Sequence, residues 1–155
     1  FSISRDQTHL QNRHFKIKSD DITNPRIGQK FDMITCISVL EHIPAHREAL
    51  KGMFSLLNPG GQIILTFPYN EHTYHADIYR HPQAGYGQQH PFIGQVYSRN
   101  ELNSWLADNG GVILKQIYYE AFTGEFWTMG DPIYPLRETT ADARHHLTCL
   151  LLAKS

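Results

Sequence analysis

The run Phe31-Asp32-Met33-Ile34-Thr35-Cys36-Ile37-Ser38-Val39-Leu40 and the later segment Gln62-Ile63-Ile64-Leu65-Thr66-Phe67 decide the fold. Each is short, apolar and rich in β-branched residues, the pattern of a strand buried on both faces of a parallel sheet. The first run is too apolar for a sheet edge and is expected to be central. Between the two, Pro44 suits the first turn of a helix. Ala45, Ala49, Leu50, Met53, Phe54 and Leu57 recur at spacings of one, three and four, which paints one helical face as far as about residue 57. Asn58-Pro59-Gly60-Gly61 then predicts a helix-to-strand turn, because proline cannot continue the helical ladder and glycine takes left-handed conformations. Strand, helix and strand in this order form a right-handed βαβ crossover.

Upstream, residues 1–12 are polar and read as a loop or a frayed helix end. His14-Phe15-Lys16-Ile17-Lys18 alternates at period two, which predicts a short half-buried strand. The Asp, Asn and Pro of residues 19–25 predict a turn after it. Downstream, residues 68–95 are long, aromatic and histidine-rich without a sustained period, as in functional lids and binding segments. Ser98-Arg99-Asn100-Glu101 has the form of a capping box that opens a helix, with Leu102, Trp105 and Leu106 as its buried stripe. Asn109-Gly110-Gly111 closes that helix. Residues 112–122 read as a strand, 123–144 as a second irregular excursion and 147–153 as a closing strand. The expectation is one α/β domain over residues 1–155.

With 155 residues, 14 Lys and Arg against 15 Asp and Glu, and 41% hydrophobic residues, the composition is globular. Two cysteines exclude a disulfide scaffold. The apolar runs are far shorter than the ~20 residues that span a bilayer. No basic segment followed by an apolar one opens the chain, so a cytoplasmic protein with no membrane partner is expected. A near-neutral balance gives no field to gather phosphate backbones, which argues against nonspecific nucleic-acid binding. The first residues, starting at Phe1, read as the middle of something, and an excerpt of a longer polypeptide is expected.

The elements Phe31-Asp32 through Val39-Leu40-Glu41-His42-Ile43 and Leu56-Leu57-Asn58-Pro59-Gly60-Gly61-Gln62-Ile63-Ile64-Leu65-Thr66 resemble the fourth and fifth strands of class I S-adenosylmethionine-dependent methyltransferases. Tyr97-Ser98-Arg99-Asn100-Glu101-Leu102, Gly110 and the two final strands continue the likeness, which covers roughly residues 14–155. The resemblance implies a Rossmann-like, mostly parallel sheet of order 3-2-1-4-5-7-6 with an antiparallel C-terminal hairpin. It implies S-adenosylmethionine as cofactor, bound beyond the carboxyl ends of the strands. Asp21 would approach the adenine amine, with Asp20 as the rival register and the Ile22 amide nearby; a plain turn and cap is the other reading of these aspartates. Ile37, Ser38 and Val39 would line the methionine half. No G-x-G lies upstream of Asp20, so the glycine-rich loop and the first N-terminal strands of the family are expected to be absent. The fourth strand would then have an exposed flank that invites self-association. By the same sheet order Cys36 and Cys149 are core residues separated by one strand, beyond the reach of a disulfide.

The loop after the fifth strand in this family covers the acceptor. Here it carries His72, His75, His81 and His90 with Asp77, Tyr69, Tyr74 and Tyr79. A methyl transfer is a displacement in which the protein aligns the acceptor, and a hydroxyl acceptor gains from a general base. His72, His75 and His90 are the catalytic candidates on pKa grounds, and Tyr69, Tyr74 and Tyr79 the substrate-lining ones. Partly exposed or hydrogen-bonded histidines in a lid are the bland alternative. Small-RNA terminal 2′-O-methyltransferases and ubiquinone-pathway O-methyltransferases place a metal-binding E-x-x-E-H element at the position of Ser38-Val39-Leu40-Glu41-His42. Ser38 replaces the first carboxylate, leaving at most a reduced site of Glu41, His42 and His90, and no metal is expected. The resemblance thus implies methyl transfer to an oxygen or nitrogen of a small molecule. Two alternatives stand beside it: a cofactor-free methyltransferase-like interaction module, and a metal-assisted RNA terminal 2′-O-methyltransferase.

Overall fold

The computed structural model describes residues 16–154. Seven regular elements follow in order: β1 (Phe31–Ile37), α1 (His46–Ser55), β2 (Leu57–Pro68), α2 (Arg99–Asn109), β3 (Gly111–Phe122), β4 (Pro132–Thr139) and β5 (Leu147–Lys154). They form a five-stranded sheet of order β1-β2-β5-β3-β4. β1 and β2 are parallel, while β5 runs antiparallel to both β2 and β3, and β4 antiparallel to β3. With β1 and β2 as the family's fourth and fifth strands, the first four positions reproduce its 4-5-7-6 order.

Both helices bury their apolar faces in one core. Ala49, Leu50, Met53 and Phe54 of α1 and Leu102 and Trp105 of α2 join Ile63, Leu65 and Phe67 of β2 and Leu150 and Leu152 of β5. Period-two alternation sends these strand residues to the helix side. α2 starts as the S-x-x-E pattern requires: Ser98 accepts from the Asn100 amide, its own amide donates to Glu101 Oε2 at 3.1 Å, and Gly110 ends the helix at φ 63. Arg47 of α1 ties the helices together through Asp108 at 3.1 Å and Ser104 at 2.8 Å.

Five expectations are corrected. Among the described residues β1 is a sheet edge rather than a strand buried on both faces; Met33 and Ile37 are each 52% exposed. Its Ile34 and Cys36 pack on the helix-side core, but no described element covers its other face. His14 and Phe15 of the predicted first strand lie outside the described residues, and Lys16–Lys18 are exposed coil. Their alternation finds no neighbouring strand among the described residues, and alternation without a partner does not make a ladder. The first helix is shorter than predicted, His46–Ser55, because Pro44 and Ala45 form a turn ahead of it and Leu57 already belongs to β2. Asn58-Pro59-Gly60-Gly61 is a bulge inside β2 instead of a turn ahead of it: Phe31 pairs with Leu57 but Met33 with Gln62. The excursion 123–144 contains β4, an edge strand that tolerates its two prolines.

Cys36 and Cys149 are free and stand on β1 and β5 with β2 between them. No described helix is long and apolar enough to cross a membrane.

Candidate functional site at the strand ends

Beyond β1 the chain turns sharply. Ser38 adopts φ 49, a left-handed backbone that costs a non-glycine residue about 1–3 kcal/mol and concentrates at functional sites. Its amide donates to the Thr66 carbonyl and hydroxyl, both at 3.0 Å, which pins the turn to the end of β2. Ile37, Ser38 and Val39 are exposed here, at the carboxyl end of a parallel pair.

The 3-10 turn Leu40–His42 carries the chemistry. Glu41 is only 4% exposed, and its Oε2 is buried with no hydrogen-bond partner. Burial pushes its carboxyl above the ordinary range, although the neighbouring His42 opposes this. His42 Nδ1 donates to the Ile93 carbonyl at 2.7 Å, which leaves Nε2 as the free lone pair, 3.9 Å from Glu41 Oε1. A carboxyl inclined to keep its proton thus stands beside an imidazole nitrogen able to take one. Burial and the Glu41 charge raise the Cys36 thiol to about 11, so that cysteine is an inert neighbour.

Residues 68–97 cover this turn. Two isolated bridges, Tyr69 with Tyr97 and His75 with Val96, and the 3-10 turn Ile78–Arg80 organise the loop. Gln95 fastens it to the turn below, its amide donating to the Glu41 carbonyl at 2.9 Å and its side chain to the Ile43 carbonyl at 2.9 Å. The Tyr79 ring is clasped by two glycines: a Cβ on Gly87 would lie 2.1 Å from it and one on Gly94 2.5 Å. Around Tyr79 gather His90 at 5.1 Å, Phe92 at 6.3 Å and His42 at 6.5 Å, and His90 stacks on Phe92 at 4.8 Å. Phe92 and Tyr86 present an open aromatic surface beside this cluster.

Of the predicted histidines, only His90 joins this cluster. His75 lies apart, edge-on to Phe126 at 4.5 Å and to His81 at 5.7 Å, with a buried, unpartnered Nε2; burial and His81 lower its pKa. His72 is exposed in a separate hollow between residues 70–72 and 141–145. The tyrosines also diverge. Tyr69 is fully buried and donates to Glu71 Oε2 at 2.8 Å. Tyr74 donates to Gln95 Oε1 at 2.8 Å and stacks on Tyr97 at 6.1 Å.

The predicted acidic turn is a tight loop. Asp20 accepts from the amides of Asp21, Arg26 and Ile27, and Asp21 Oδ1 from the amide and hydroxyl of Thr23. The Ile27 amide foremost, and the Thr23 hydroxyl foremost, hold these two carboxyls below their ordinary values. Asp20 is absorbed by the loop, whereas Asp21 commits one oxygen. The Ile22 carbonyl rests on α1, where a Cβ at Gly52 would lie 1.8 Å away.

Sequence reasoning weighed Glu41 and His42 only as metal ligands or a helix entry. A lone carboxylate inside the apolar Val39-Leu40-Glu41-His42-Ile43 was the signal that it would be buried. Among the described residues, no three His, Cys, Asp or Glu side chains gather into a group that could hold a metal.

A family model described as a methyltransferase domain matches residues 1–116. The chain belongs to this family. A ubiquinone biosynthesis O-methyltransferase from Coxiella burnetii is 31% identical to this methyltransferase domain over 108 residues, 64% of the chain and 44% of the relative. The chain therefore spans less than half the length of that relative. Among solved structures, an S-adenosylmethionine-dependent methyltransferase from Methanosarcina mazei matches with a TM-score of 0.56 at 17% identity, over 90% of this chain and 66% of that one. A Burkholderia thailandensis 1,6-didemethyltoxoflavin-N1-methyltransferase, solved with 1,6-didemethyltoxoflavin and S-adenosylhomocysteine, matches with a TM-score of 0.55 at 13% identity, over 90% and 51%. At these identities the likeness is one of fold, and the fold is the Rossmann-like sheet of class I methyltransferases.

Proposed function

We propose that this methyltransferase domain forms the acceptor side of an S-adenosylmethionine-dependent enzyme that methylates an oxygen or nitrogen of a small molecule. The observation that carries the reading is the Glu41–His42 pair at the end of β1, roofed by Tyr79, His90 and Phe92. The cofactor supplies an electrophilic methyl group. Exposed Ile37 and Val39 offer an apolar surface that fits its methionine half, and the second carboxylate oxygen of Asp21 fits its adenine amine, with the Ile22 amide beside it. The exposed rings of Phe92 and Tyr86 fit a planar acceptor. A phenolic hydroxyl is the finer reading, supported by the O-methyltransferase name of the Coxiella relative.

As the acceptor oxygen attacks, its proton passes to His42 Nε2, whose partner Ile93 fixes the tautomer that can receive it. Residues 68–95 and 123–144 shape the acceptor pocket, with His90 and Tyr79 against the substrate and Tyr69 and Tyr74 supporting them. His72 and His75 stand outside this cluster and have no role in the proton transfer.

The test is titration with S-adenosylhomocysteine, followed by transfer assays with labelled cofactor and a panel of phenols and amines. His42→Gln should leave cofactor affinity unchanged and lower transfer by 100-fold or more, on the order of what a positioned base contributes. Absence of cofactor binding, or unchanged transfer in H42Q, would overturn the reading.

A further inference from the structure

The segment 93–97, which closes the loop over the strand ends, alternates its partners residue by residue, as an extended backbone does. At Gly94 and Val96 the main chain bonds to residues 75–78: the Ile78 amide donates to the Gly94 carbonyl at 2.7 Å, and Val96 and His75 exchange amide bonds at 2.9 Å. At Ile93 and Gln95 the main chain turns the other way, to the turn that carries His42. The Ile93 carbonyl accepts from His42 Nδ1 at 2.7 Å, and the Gln95 amide donates to the Glu41 carbonyl at 2.9 Å. Tyr97 adds its phenol, which donates to the Leu40 carbonyl at 2.8 Å. One short segment thus carries the frame of Tyr79 on one edge and that of His42 on the other.

Gln95 also contributes its side chain, which is buried; the residue is 1% exposed. Nε2 donates to the Ile43 carbonyl at 2.9 Å and to the Glu41 carbonyl at 3.3 Å, while Oε1 accepts from the Tyr74 hydroxyl at 2.8 Å. The opposite amide orientation would set an oxygen against two carbonyl oxygens, so the network admits only one. A buried amide with both donors and its carbonyl engaged is a rigid tie, and its loss would take a donor from both carbonyls at once. The place of the tie matters more than its strength. The Glu41 carbonyl lies just before His42 in the chain and the Ile43 carbonyl just after it, so a single amide grips the backbone on both sides of the imidazole. The ring has contacts of its own, Nδ1 with Ile93 and an edge-on Phe92 at 4.7 Å. They orient the ring on its backbone but leave the backbone to be fixed by Gln95 and Tyr97. In a proton transfer that placement counts, because a displacement of roughly 1 Å lowers rates by about 100-fold.

We propose that Gln95 is a positioning residue for methyl transfer: by holding the Glu41 and Ile43 carbonyls it fixes the backbone of His42 and with it the direction in which Nε2 points. The inference rests on the reading of His42 as the base. Its test is side-chain ¹⁵N NMR of the histidines in the unliganded protein, followed by transfer kinetics. Gln95→Met keeps the main-chain bond to Glu41 and removes both side-chain donors. It should move the His42 Nδ1 and Nε2 resonances toward the average of two exchanging tautomers and leave those of His146, on the far side of the sheet end, in place. The kcat should fall about tenfold, the worth of one hydrogen bond, with KM and S-adenosylhomocysteine affinity unchanged. Gln95→Asn, whose amide is one methylene short of the two carbonyls, should behave alike and carries the test if the apolar side chain prevents folding. Unchanged His42 resonances, or an unchanged kcat, would overturn the proposal. An equal loss of cofactor affinity, with His146 displaced as well, would mark a general structural role and also overturn it. Intact transfer in H42Q would remove the base and this inference with it, an outcome told apart because the His42 resonances would still move in the Gln95 variants.

Discussion

The helix-and-sheet core and the loop layer above the strand ends are built on opposite terms. The core is assembled largely from Leu, Ile, Met, Phe and Ala on two helices and two strands, together with the buried rings of Tyr69, Tyr97 and Trp105. The loop layer has a much smaller apolar nucleus, Ile78, Tyr79, Val96 and Met129, with Phe126 and Trp127 against it. It depends on ring contacts and side-chain hydrogen bonds for the rest. Four of the buried polar atoms that lack partners, Glu41 Oε2, His75 Nε2, Thr128 Oγ1 and His145 Nε2, lie in or against this layer, while those of His46 and Trp105 lie between α1 and α2. Apolar burial fixes the shape in the first region; in the second, more of the buried hydrogen-bonding capacity is left unmet.

The sharpest way to break this contrast is Leu150→Ala, at a fully buried position on β5 in the core. A loss of about 2–5 kcal/mol in denaturant unfolding is expected for a leucine truncated in such a core. A loss below 1 kcal/mol would mean that the loop layer shares the burden of stability. Next comes Gly87→Ala, which places a methyl 2.1 Å from the Tyr79 ring at a backbone φ of 95. The expected cost is about 1–3 kcal/mol, accompanied by displaced Tyr79 and His90 ring resonances and an unperturbed core spectrum. Spectral change throughout the core would erase the boundary between the regions.

The smallest effect is one of slope. Glu41 has a folded pKa above its ordinary 4.5. Below that value the carboxyl is protonated in both states and contributes nothing against folding. As pH rises from there through the raised folded value, the unfolded chain releases its proton first, so stability falls across that window and then levels. Glu41→Gln should remove this fall, gaining on the parent as pH rises from 4 to neutrality. Parallel pH profiles for parent and variant would show that the carboxyl is not held in its neutral form.

Local patterns were legible where the physics is local. The start of the apolar strand at Phe31, the capping box at Ser98 and the Gly110 stop depend on their own neighbours and stand where the sequence places them, although the strand read as Phe31–Leu40 ends at Ile37. The local pattern misread the edge position of β1, because an apolar strand reports its preference for burial while the presence of a neighbour is a property of the whole sheet; the resemblance, which leaves the fourth strand with an exposed flank, anticipated it. β4 was missed because Pro132 and Pro135 argue against a strand unless it lies at an edge, and nothing local announces an edge. In the loop, the crowd of histidines was visible but its sorting was not. His90 reaches Tyr79 only because Gly87 and Gly94 admit the ring, and that encounter is tertiary.

The clasp on Tyr79 also governs how the loop can breathe. The Ile78 amide donates to the Gly94 carbonyl at 2.7 Å, and the Gly94 amide returns a bond to the Asp77 side-chain Oδ1 at 3.1 Å, so one backbone and one side-chain bond tie Gly94 to the segment that carries the ring. Withdrawing it requires both glycines to retreat and both of these bonds to part together. Opening is therefore a single cooperative event: in hydrogen–deuterium exchange the amides of Ile78 and Gly94 should share one rate, and the door to the strand ends swings as one leaf.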